Sequence, residues 1–162
     1  MHKPRSVVFL IIWFTWAAGA DLNALVRFWL STDYYIFSSV DLPWLFFVIG
    51  GTVFLLNIGA VYSLLNPRPS GIPIIVNALL FSALQNFVTF LIAFNDLDGV
   101  REAYSVGREA RGLPVRAETL DRVLSESGIS LSLLVMMVLY AILAYYTYRN
   151  RDYFRGIVTS EA

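Results

Sequence analysis

Three stretches of this chain, residues 42–67, 69–95 and 127–148, contain no Asp, Glu, Lys or Arg. Each exceeds the roughly 18 apolar residues from which a membrane-crossing helix is read. Inside lipid a chain must satisfy its own backbone hydrogen bonds, which restricts such runs to helices. With a further apolar run near the N-terminus, the expected fold is an all-α integral membrane protein. It is a four-transmembrane-helix antiparallel bundle forming a single membrane domain over residues 1–162. The composition agrees, at 57% apolar and 15% charged residues against roughly 25% charged in soluble chains. A soluble enzyme, a disordered tail and a nucleic-acid binder are excluded.

The first span is expected over residues 6–30. It stays uncharged from Ser6 to Ala20 and continues past Asp21 to Leu30. Lys3 and Arg5, the run Ser6–Trp16 and Ala18-Gly19-Ala20 also fit the three parts of a secretory signal peptide cleaved after Ala20. Trp13 and Trp16 are bulky for the approach to such a cleavage site, and the apolar pattern resumes beyond Asp21, so an uncleaved span is favoured. The second span is expected over 42–65, opened by Pro43, a residue tolerated in a first helical turn. The third is expected over 71–94 and the fourth over 129–148. Two prolines and a glycine in Asn66-Pro67-Arg68-Pro69-Ser70-Gly71 forbid a continuous helix and make spans two and three a hairpin.

Four spans put both termini on one side. That side carries Lys3, Arg5, Arg68, Arg149, Arg151 and Arg155 against Asp152 and Glu161. The other carries Asp33, Asp41 and a loop at 95–128 with five Arg against seven acids. Basic residues are retained on the cytoplasmic face, so a multi-pass cell-membrane protein with both termini cytoplasmic is expected. The extracytoplasmic loop reads as partly helical, with helices at Leu97–Arg111 and Leu113–Ser127 broken by Gly112. Pro114 suits a first turn and Gly128 a stop, while Glu118 and Arg122 are spaced to pair.

What is missing narrows the chemistry. There is no Cys, His2 is the lone imidazole and Lys3 the lone lysine. No thiol relay, buried haem ligand or buried Schiff-base amine is possible, and no cofactor, catalytic residue or metal ligand is assigned. Asp96 and Asp98 form a D-x-D that admits a divalent cation, but Asp98 equally suits an N-cap. The G-x-S-x-G and H-E-x-x-H signatures of hydrolases are absent.

The candidate polar intramembrane site is Asp21, Asn57, Asn77, Gln85, Asn86 and Thr89. Asp21 shares a helical face with Phe14, Ala18 and Leu25, roughly 22 Å along the span at 1.5 Å per residue. An acid there is either a proton or cation site turned inward or one solvated by headgroups. Gln85, Asn86 and Thr89 form a polar stripe on span three. Asn57 and Asn77 fall at matching depths across the hairpin, and Gly50 and Gly51, about as far from the turn as Gln85, admit a close neighbour. Two aromatic belts are expected, one holding Trp29, Tyr34, Tyr35, Phe37 and Trp44, the other Tyr145, Tyr146, Tyr148, Tyr153 and Phe154.

The favoured expectation for function is a non-enzymatic accessory, assembly or regulatory subunit that works through its surfaces. Its partners would be the lipid bilayer and a larger membrane complex or further copies of itself, with no nucleic acid. The rival is a small oligomeric transporter or channel using Asp21 with Gln85 and Asn86. A lipid-modifying enzyme using Asp96 and Asp98 is the third. Asp21 turned into the bundle would favour the rival, and Asp21 facing headgroups the first.

Overall fold

The computed structural model describes residues 3–156, and every regular element among them is helical. Four helices are long and apolar enough to cross a membrane: α1 (Arg5–Val26), α3 (Pro43–Leu65), α4 (Gly71–Asn95) and α7 (Glu126–Arg149). Between them lie α2 (Thr32–Ser38), α5 (Leu97–Glu109) and α6 (Ala117–Val123), and α8 (Arg151–Phe154) follows α7.

Buried side chains recur at helical spacing. On α1 they are Val7, Leu10, Phe14 and Ala18, and on α3 Phe46, Gly50, Val53, Asn57, Ala60 and Leu64. These stripes face each other, because α1 packs on α3, α3 on α4 and α4 on α7, with α7 also touching α1. The main core joins Leu10 and Phe14 to Ala60, Leu64, Ile75, Ala78, Tyr140, Leu143 and Phe154. A smaller cluster at Ile36, Ala93 and Val100 sits beneath α2 and α5.

The ends of the main core are stitched by polar contacts. The Ser6 hydroxyl donates to Asn150 Oδ1 at 2.9 Å, tying the start of α1 to the end of α7. The Tyr153 hydroxyl donates to the Leu64 carbonyl at 2.8 Å. Phe154 is 1% exposed and packs where α3 hands over to α4. A Cβ on Gly71 would stand 3.0 Å from Ser63 Cβ and 3.2 Å from the Phe154 ring, a crowded fit at the start of α4. Phe154 therefore belongs to the core and not to a belt, as does Phe37 at 0% exposed.

Several boundaries differ from the sequence expectation. The first span ends at Val26, and Arg27 (φ −112°, ψ 43°) leads into a single 3-10 turn, Phe28–Leu30. An extended Ser31 then launches α2, and Asp41, at φ 60°, turns the chain into α3. This fold-back places Ile36 and Phe37 inside, which a continuous helix over 6–30 would not do. In the 95–128 segment α5 stops at Glu109, and the chain passes Gly112 in the left-handed region (φ 67°). Pro114 lies outside any helix, because proline disfavours helical geometry in the residue before it. Gly128 falls within the first turn of α7, where its N–H donates to the capping Ser125 hydroxyl at 3.1 Å. The ion pair in this segment is Arg101–Asp98 at 3.8 Å, while Glu118 and Arg122 stand exposed.

Candidate functional site

Asp21 follows Phe14 and Ala18 at one-turn intervals, so the stripe that buries those two also turns Asp21 inward. Its partner is Asn57, one turn before Ala60 on the buried stripe of α3 and 2% exposed. The Asn57 Nδ2 donates to Asp21 Oδ2 at 2.7 Å. Asn57 Oδ1 is buried without a partner. Gly50 sits on the same stripe and takes the Leu25 side chain of α1, whose Cδ2 would lie 3.3 Å from a Cβ there. Gly50 and Asn57 thus serve the α1–α3 contact, not the α3–α4 contact expected of them. Asn77 is exposed on α4, so the amide pair across the hairpin does not form.

A second polar contact links α4 to α7. Asn86 Nδ2 donates to the Tyr140 hydroxyl at 2.8 Å and also to its own helix at the Ser82 carbonyl, 2.9 Å. The phenol accepts in that bond, which leaves its own proton unused there.

Beside this contact lies a cavity of about 260 Å³. Gln85, Asn86 and Thr89 of α4 line it together, with Asp33 and Ile36 of α2, Phe90, Leu124 and Ser132, Leu133 and Met136 of α7. Thr89 Oγ1 is buried and has no hydrogen-bond partner. A second, more polar cavity of about 320 Å³ is lined by Asn23, Arg27, Ser31, Thr32, Asp33 and Arg111. Asp33 borders both. Burial pushes the Asp33 carboxyl above the ordinary carboxylate value, and the charge of Asp21 adds to that rise.

The six residues singled out from sequence therefore divide. Asp21 and Asn57 bond to each other, Gln85, Asn86 and Thr89 share one cavity, and Asn77 stands apart. Asp33 and Tyr140 are additions. Asp33 reads as a loop acid, but it precedes Ile36 and Phe37 by three and four residues, so an amphipathic turn over Thr32–Ser38 was the available signal. Tyr140 stands in a wholly apolar run whose aromatics suggest nothing but packing.

The D-x-D is used structurally. Asp96 Oδ1 accepts from the Gly99 N–H at 3.0 Å as the N-cap of α5, the role expected of Asp98. Asp98 is almost fully exposed and turns to Arg101. Among the described residues no three His, Cys, Asp or Glu side chains gather as a metal site. No protein-family model matches this chain, and no curated protein or solved structure matches it either.

Proposed function

We propose that this chain is a multi-pass protein of the cell membrane that binds and releases a proton at Asp21, as the core of a small oligomeric transporter or channel. The observation that carries this reading is the inward Asp21, bonded to Asn57 on the buried face of α3. An acid meant only for headgroup solvation has no need of a buried amide. Intramembrane carboxylates are expensive to keep and are functional candidates by default.

The amide can serve both charge states. Ionised Asp21 only accepts, and Asn57 Nδ2 supplies the hydrogen. Protonated Asp21 gains an O–H, for which the partnerless Asn57 Oδ1 is the matching acceptor once the amide turns. Asp33 stands near enough to feel the Asp21 charge, and two such carboxylates resist being charged together. Four helices enclose little space, so the assembly is oligomeric.

In this reading the four long helices cross the bilayer antiparallel, with both termini cytoplasmic and residues 95–128 outside. The chain has no native Cys, so single cysteines report cleanly. Glu109→Cys should react with an impermeant maleimide in intact cells, and Arg68→Cys should not. Equal labelling of the two would overturn the orientation.

The proton reading is tested in liposomes carrying an internal pH dye under an imposed pH gradient. Wild type should accelerate proton flux, and Asp21→Asn should abolish it while melting like wild type. An inert wild type, or full flux through Asp21→Asn, would sink the reading. The accessory-subunit reading has one support of its own. Only Tyr140, Leu143 and Thr147 of α7 are buried, and Leu131, Leu134, Val135 and Val138 are exposed, a free face for a neighbouring membrane helix.

A further inference from the structure

We infer that the cavity between α2, α4 and α7 is a binding site for a small organic cation, an amine with a compact apolar body. The inference rests on the transporter reading only for its role as substrate; the site itself stands on the geometry of the cavity.

The cavity is walled mainly by apolar side chains, Ile36, Phe90, Leu124, Leu133 and Met136 among them. At about 260 Å³ it falls just below the roughly 300–1,000 Å³ of drug-sized pockets, so its ligand is small. One acidic residue lines this apolar space, Asp33, which also borders the polar cavity of Arg27 and Arg111. A carboxylate facing an apolar cavity is costly unless it is paired. Neither the Arg101–Asp98 nor the Arg151–Asp152 ion pair involves Asp33. A ligand ammonium would supply the missing partner.

The other polar atoms suit the same group. The buried Thr89 Oγ1 has no partner and offers lone pairs to an N–H donor. The Gln85 amide lines the same wall. Phe90 presents an aromatic ring, whose face attracts a cation. An anion would meet a carboxylate and find no guanidinium on this cavity, because Arg27 and Arg111 line only the neighbouring one. A neutral alcohol of the same shape would fill the apolar part but leave Asp33 unpaired.

The test is equilibrium binding to the full chain in phosphatidylcholine nanodiscs, with empty nanodiscs subtracted. The probes are phenethylamine and its uncharged analogue 2-phenylethanol. Wild type should bind the amine at least tenfold more tightly than the alcohol, and Asp33→Asn should remove that preference. Ser132→Phe keeps the carboxylate but fills the cavity from an exposed position on α7, and it should weaken amine binding at least tenfold. Equal binding of the two probes, no binding of the amine, or undiminished binding to either variant overturns the inference. The Asp21-dependent proton flux is read separately. Flux without amine binding removes the substrate class and leaves the transporter, whereas amine binding without flux leaves the site and removes the transporter.

Discussion

Asn57 and Asp21 meet across the contact of α3 with α1, with the Asn57 Nδ2 2.7 Å from Asp21 Oδ2. The two side chains lie on the faces through which α1 and α3 pack, and Asn57 is 2% exposed. Removing either side chain strands the other. Asn57→Leu should cost about 1–2 kcal/mol, near the upper range for polar contacts between membrane helices. Asp21→Leu should cost a similar amount, and the double variant clearly less than the sum. Asp21→Asn should be nearly neutral, because an amide still bonds to an amide. Thermal melts in detergent provide all four values, and additive losses would show that the pair carries no coupling.

Asn86 has a different arrangement, and the expected outcome differs with it. Its Nδ2 bonds both the Tyr140 hydroxyl and the Ser82 carbonyl. Tyr140→Phe therefore leaves the amide with a partner and should cost less than about 1 kcal/mol. The same melts check this; a loss of several kcal/mol would mean that the phenol holds more than Asn86.

Asp33 makes stability depend on pH. Burial, and then the Asp21 charge, raise its carboxyl above the ordinary value, so the folded chain holds that proton more tightly than the unfolded one. The fold is then favoured below the ordinary carboxylate value and loses stability as pH rises through the shifted one. Asp33→Asn carries no charge at any pH. It should raise Tm at about pH 8 and leave it unchanged at about pH 3, with wild type and variant compared in the same detergent. A variant less stable than wild type at the higher pH would contradict the assignment.

Phe154 supplies a test at the far end of the bundle. It is 1% exposed and touches the start of α4. Phe154→Ala should cost about 3–5 kcal/mol, the usual loss for a core aromatic. Tyr153→Phe, which removes only the hydrogen bond to the Leu64 carbonyl, should cost about 1 kcal/mol. If both variants melt like wild type, α8 does not hold the bundle.

The four long helices and the break between α3 and α4 are legible in the amino-acid order alone. Those follow from local rules: apolar length sets the helices, and Pro67, Pro69 and Gly71 forbid continuation. The same order also places Asp21 on the face of Phe14 and Ala18, because helical periodicity assigns faces without knowledge of neighbours. Which face meets which depends on packing between helices distant in the chain. Asn57 and Asn77 look equivalent along the chain, yet the α1–α3 contact buries Asn57 and leaves Asn77 exposed. Hydropathy could not place that contact, since in so apolar a chain nearly every face is a suitable one. Asp33 became part of the site through the 3-10 turn at Phe28–Leu30 and the fold-back of α2. The amphipathic turn over Thr32–Ser38 is legible locally, but the direction it takes is set by packing of Ile36 and Phe37 inside the bundle.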